Sequence, residues 1–231
     1  MAIQTLHVFL LLCPSPLGVR PTSLRGKTDQ IKQDLLSLIK KYEVEMSMST
    51  EDDSGVFIAP GNIAGGLTTI EEKSLGCIYK AGTKNITEIV GYGVAPKEKG
   101  VIIMDTPGFD ISSVTGKVAG GAHMVLFTTG KGTPTGSSIA SVIKISSNNK
   151  TFRHLNEDTD ISAGDVLEGT KTLKQVGVEI ADLVMDTARG KEAKGEYFNI
   201  QEFAIPNVSV VKKEVIHAKL AKLNDFRFVQ P

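Results

Sequence analysis

Apolar positions along this chain fall into short runs of two kinds. From Asp29 to Met46 they recur at three- and four-residue spacing, with Ile31, Leu35, Leu36, Leu38, Ile39 and Tyr42 on one side and charge opposite, which predicts an amphipathic helix. Leu173 to Ala188 repeats the pattern through Val176, Gly177, Ile180, Leu183, Val184 and Thr187, and Arg189-Gly190 supplies a stop. Between these helices lie compact β-rich runs: Val101–Met104, Ala122–Thr128 and Val142–Ile145, with Ile86–Tyr92 a strand or short helix. Residues 111–121 have a helical pattern of small residues. Strand, short helix, strand predicts a βαβ unit that pairs 101–104 with 122–128 in parallel. The fold class expected is α/β, a mainly parallel sheet with flanking helices.

Two polar loops follow these runs. Asp105-Thr106-Pro107-Gly108-Phe109-Asp110 follows the first, and Thr128–Gly136 follows the second. In parallel sheets, sites form beyond the carboxyl ends of the strands, so both loops are expected on one rim. Asp105–Gly108 matches the DxxG element of GTPases. No phosphate-binding loop precedes it and no base-reading motif follows, so that reading fails. The glycines, threonines and Lys131 of Thr128–Gly136 fit an anion site better than a plain turn. Ala59–Gly66 (APGNIAGG) must be irregular, and a helix is expected to start near Thr68 or Thr69, with Glu71 and Glu72 in its first turn.

Composition narrows the classes. The 26 basic and 26 acidic side chains cancel, which gives no electrostatic case for a nucleic-acid or anionic-membrane partner. Trp is absent, and Cys13 and Cys77 form no zinc-like spacing, so a reduced cytoplasmic protein is expected. The run His7–Cys13 is too short to span a bilayer and has no basic residue before it, as a secretory signal would. Residues 1–27 are left unassigned. His123 falls in an expected buried strand, and His154 and His217 on helix surfaces. No serine sits in a nucleophile elbow.

The strings PGNIAGGLTTIEEKSLG (60–76), MDTPGFDISSVTG (104–116) and FTTGKGTPTGS (127–137), with Ile143-Lys144-Ile145, Asn148 and DTDISAG (158–164), resemble the altronate/galactarate dehydratase family. The resemblance marks 28–231 as its C-terminal catalytic-type domain. It implies elimination of water from a sugar acid to give a 2-keto-3-deoxy acid, with a divalent metal, ferrous iron, as cofactor. It implies substrate binding by Asn62, Thr68, Thr69, Thr128, Thr129, Lys131, Gly132, Thr133 and Lys144. It also implies catalysis by Glu71, Lys73 and Asp110, the last a carboxylate for proton transfer or metal binding; the metal ligands themselves are not assigned. The sulfolactate sulfo-lyase large subunit belongs to the same family, and carbon–sulfur cleavage is the alternative within it. A non-catalytic acid-binding remnant is the alternative outside it. Lys131 stands where the family has Arg, which keeps the charge but loses the planar fork. The family's front part has no counterpart before residue 28, so a separate subunit or domain is expected to complete the enzyme.

Overall fold

The computed structural model describes residues 25–49 and 82–205, with backbone only for 42–49. The chain divides into two compact units. The described part of the first comprises 25–49, 82–90 and 96–105; the second comprises Gly91–Ala95 and Thr106–Ile205.

In the first unit, helix α1 (Asp29–Ser49) packs on a parallel pair, β1 (Ile86–Val90) and β2 (Val101–Met104). Leu35 and Ile39 of α1 are buried against Ile86 and Ile103, with Ile31 and Leu38 beside them. Leu36, on the edge of the expected face, is 39% exposed. Ile86 and Ile89 share this cluster despite their odd spacing, because the register slips between Ile86 and Glu88. An extra residue in a strand shifts the alternation of faces by one. Val90, Ile102 and Met104 form a separate cluster.

The second unit is a three-stranded parallel sheet, in the order β3 (Met124–Thr129), β4 (Ser141–Ser146) and β5 (Ile161–Ser162). Helix α2 (Asp110–Ala119) buries Val114 against Val125 and Val142. α3 (Asn149–His154) and α4 (Gly164–Leu167) follow β4 and β5. α5 (Leu173–Ala188) packs Ile180, Leu183 and Val184 against Ile143, Ile145 and Ala193, and α6 (Lys194–Tyr197) follows it. Thus α2 and α5 pack against alternate residues of β4. That explains why residues 142–146 are all buried, while edge strand β3 alternates. Leu173 and Val178 of α5 are exposed, so its buried face is narrower than the periodicity suggests. A capping box between Thr172 and Gln175 fixes its start, and Gly190, at φ +109°, follows its end.

The parallel mixed α/β architecture is as expected, but the strand pairing is not. β2 pairs with β1, and β3 with β4, so 101–104 and 122–128 do not form one βαβ unit. The link between β3 and β4, residues 130–140, contains no helix. A parallel pair requires a long crossover and usually gets a helix. Here an extended Gly/Thr/Ser-rich segment does that job. His123 is a second correction: it precedes β3 and is exposed, not buried in a strand. No helix of the described residues is long and apolar enough to cross a membrane.

Candidate functional site

The glycine-rich segment leaves the carboxyl end of β3 as a tied turn. Thr129 Oγ1 accepts the Gly132 N–H at 2.9 Å, so one of the expected anion donors is already used inside the turn. The Gly130 carbonyl accepts from Asn148 Nδ2 and Thr151 Oγ1, both at 2.8 Å. Asn148 has two tasks, because its Oδ1 also caps α3 by accepting the Thr151 N–H at 2.8 Å. Gly132 sits at φ +88°, and a Cβ there would lie 2.0 Å from Leu155 Cδ1. The positive φ therefore favours glycine, and a larger residue would also have to push the end of the Leu155 side chain aside. Lys131 is exposed on this turn, as is Thr128 on the last stretch of β3.

Beyond the turn the segment dives inward. Thr133 and Thr135 are buried, with their hydroxyls 2.8 Å apart. Lys144 on β4 is 0% exposed, and its Nζ donates to the Pro134 carbonyl at 3.3 Å. Burial pulls its pKa below the usual lysine range, while the fields of Asp158, Asp160 and Glu202 push it back up and Lys194 adds to the lowering. The Asp160 carboxylate accepts the backbone N–H groups of Lys144, at 2.7 Å, and of Lys194, at 2.8 Å, tying β4 to the start of α6. The two expected cations thus differ: Lys131 is exposed, and Lys144 braces the interior of the same segment. In the DTDISAG string, Ser162 Oγ donates to Asn149 Oδ1 at 2.6 Å, and Asn149 Nδ2 donates to Asp165 at 2.7 Å. Lys171 bridges Asp165 and Glu179. Hydrogen bonds from Asn149 and Lys171 hold the Asp165 carboxyl below its ordinary range.

A second polar cluster stands on α2. Lys117 Nζ donates to Ser113 Oγ at 2.9 Å, and Ser113 Oγ lies 3.2 Å from Thr106 Oγ1. Burial lowers the Lys117 pKa to about 8, against the field of Asp110, which raises it. Asp110 opens α2 and is exposed. Tyr92 fixes this helix from outside. Its hydroxyl donates to the Ser112 carbonyl at 2.7 Å, and its ring lies so close to Gly116 that a Cβ there would stand 2.4 Å from it. Sequence reasoning singles out Asp110 here and misses Ser113 and Lys117. Their four-residue spacing, on a helix opened by an acid, is the signal that was present.

Asn62, Thr68, Thr69, Glu71 and Lys73 lie outside the described residues. Asp105, from the DxxG-like string, belongs to the first unit and pairs with Lys41 at 2.8 Å. A polar cleft lined by His123, Ser137, Ser141, Glu196, Asn199 and Gln201 sits at the amino ends of β3 and β4, away from the glycine turn. Among the described residues no three His, Cys, Asp or Glu side chains converge as a metal site would require. The described residues therefore do not fit a metal by themselves, and the chemistry derived from them runs through none.

Fold and clusters define a parallel-sheet α/β protein with polar groups gathered at strand ends and on the following helix. The family model for D-galactarate/Altronate dehydratase, C-terminal, matches residues 20–211, and the chain belongs to that family. It is 37% identical to altronate dehydratase of Escherichia coli over 147 residues, covering 64% of this chain and 29% of that enzyme. It is 33% identical to galactarate dehydratase (L-threo-forming) of the same organism, covering 73% of this chain and 32% of that one. It is 30% identical to (2R)-sulfolactate sulfo-lyase subunit beta of Chromohalobacter salexigens, covering 81% and 49%. The chain thus spans about a third of the dehydratases and about half of the sulfo-lyase subunit.

Proposed function

We propose that this chain serves the dehydration of a sugar acid such as altronate or galactarate to a 2-keto-3-deoxy acid, with the substrate carboxylate held at the Thr129–Thr133 turn. The observation that carries this reading is the fixing of Gly130 by Asn148 and Thr151, which leaves Lys131 exposed on a turn that is already ordered. A preorganised donor group loses little freedom when an anion arrives. The reaction needs such donors, because the proton beside a carboxylate is weakly acidic and its loss builds a second negative charge on the same group. A general acid then assists the departing hydroxide. Ferrous iron remains part of this proposal through the family likeness alone.

The chain covers a fraction of each relative's length, so completion of the site by another segment or subunit belongs to the same proposal. A second reading is carbon–sulfur cleavage, favoured by the match across about half of a sulfo-lyase subunit. Isothermal titration with galactarate, altronate and sulfolactate separates these substrates. Lys131→Ala should weaken binding of the preferred acid by roughly ten- to a hundredfold, the effect of losing one charged hydrogen bond. Unchanged affinity would remove Lys131 and the turn from the site.

A further inference from the structure

Four polar side chains follow one another where β4 gives way to α3: Ser146, Ser147, Asn148 and Asn149. Three of them are engaged within the protein. Ser146 is 0% exposed and donates to the Asn148 carbonyl at 2.8 Å. Asn148 grips Gly130 and caps α3, and Asn149 is held between Ser162 and Asp165. Ser147 is the exposed one of the four, and its hydroxyl makes no hydrogen bond to the described residues. The backbone brings it to the glycine turn. The Ser147 N–H donates to the Thr129 carbonyl at 2.9 Å, one step beyond the last paired residues of β3 and β4, Thr129 and Ser146. Its hydroxyl lies beside Gly130, where an added Cβ would stand 3.3 Å from Ser147 Oγ. Lys131, the exposed cation of the turn, is the next residue after Gly130. An exposed hydroxyl and an exposed ammonium thus flank one exposed glycine.

We propose that Ser147 is a specificity-determining residue that binds the hydroxyl next to the carboxylate of the sugar acid, while Lys131 holds the carboxylate itself. This rests on the dehydration reading and on its placement of the carboxylate at the Thr129–Thr133 turn. The division of labour follows from donor and acceptor types. An ammonium only donates hydrogen bonds and a carboxylate only accepts them. A serine hydroxyl does both, as does a substrate hydroxyl, so the two match each other. In the proposed dehydration the hydroxyl beside the carboxylate stays on the carbon chain and ends as the keto oxygen, while the next hydroxyl departs. Ser147 thus holds the oxygen that remains, and it tells a hydroxy acid from a plain carboxylic acid of the same length and charge. The backbone that presents it is fixed on both sides, by the buried strand β4 before it and by the doubly tied Asn148 after it. A hydroxyl presented in that way loses little freedom on binding.

The test compares two probes on the full chain by NMR titration: galactarate, and adipate, which has the same carbon chain and both carboxylates but no hydroxyls. Wild type should prefer galactarate. Ser147→Ala should weaken galactarate binding by roughly three- to tenfold, the effect of losing one neutral hydrogen bond. The same variant should leave adipate binding within about twofold of wild type, so the preference collapses. Ser147→Thr keeps the hydroxyl and should keep the preference. Lys131→Ala, by contrast, should weaken both acids alike. The Ser147 side chain is exposed, so its replacement should leave the melting temperature within about a degree of wild type, and a lost preference then reads recognition and not folding. Unchanged galactarate affinity in Ser147→Ala, an equal loss for both acids in that variant, or a Ser147→Thr protein that behaves as Ser147→Ala does overturns the Ser147 assignment alone. Failure of the wild type to bind any sugar acid overturns the dehydration reading and the Ser147 assignment with it.

Discussion

Replacing Lys117 by methionine removes an ammonium from a largely desolvated position while keeping most of its apolar stem. Burial takes the lysine pKa from 10.5 to about 8. At about 1.4 kcal/mol for each tenfold change in proton affinity, holding the charged form there costs roughly 3 kcal/mol at pH 7. Water reaching the partly covered side chain screens some of that. The hydrogen bond to Ser113 is lost in the variant, worth about 1 kcal/mol, and Ser113 keeps its contact with Thr106. Lys117→Met should therefore be more stable than wild type by about 1–2 kcal/mol at pH 7. The sign of the pH dependence follows from linkage. The folded pKa lies below the unfolded one, so between about 8 and 10.5 the unfolded chain binds more protons, and wild-type stability rises with pH across that window. The advantage of the variant should shrink from pH 8 upward and be gone near pH 10.5. Urea unfolding of both proteins at several pH values reads the difference directly and cancels every other titrating group. An advantage of the same size across the whole range, or a wild type that is the more stable at neutral pH, would refute the claim that Lys117 is a desolvated amine.

Two further outcomes concern the glycine turn. Gly132→Ala places a side chain at φ +88° and against Leu155, and should lower stability by about 2 kcal/mol in thermal unfolding while weakening sugar-acid binding in calorimetry. Asn148→Ala removes the α3 cap and one of the two grips on Gly130, and should cost about 1–2 kcal/mol in denaturant unfolding, with loss of sugar-acid affinity as the turn loosens.

What the residue pattern discloses here, and what it does not, divides along local and non-local physics. The helix over Leu173–Ala188 and the run Val101–Met104 follow from periodicity and β-branched content, which are properties of neighbouring residues. Pairing is a property of distant ones. Residues 101–104 and 122–128 look like partners only because a helical pattern lies between them; the β3–β4 crossover looks like a long loop because no helix marks it. The site divides the same way. Asp110 stands out in the string PGFDISSVTG because an acid after a strand end is conspicuous, and Lys131 because it is a cation among glycines. Lys117 has no such mark, since a lysine at the end of a short helix is ordinarily solvated. Its character depends on which way α2 is turned. Val114 goes down onto Val125 and Val142, and Gly116 lets Tyr92 close on the helix. The amine at 117 is then carried back along the helix to Ser113, whose hydroxyl meets that of Thr106. Asp110 shares that face, and the field of its exposed carboxylate reaches the Lys117 amine. On this geometry burial sets the proton affinity of the residue that the string hides, and the residue that it makes conspicuous offsets part of that effect.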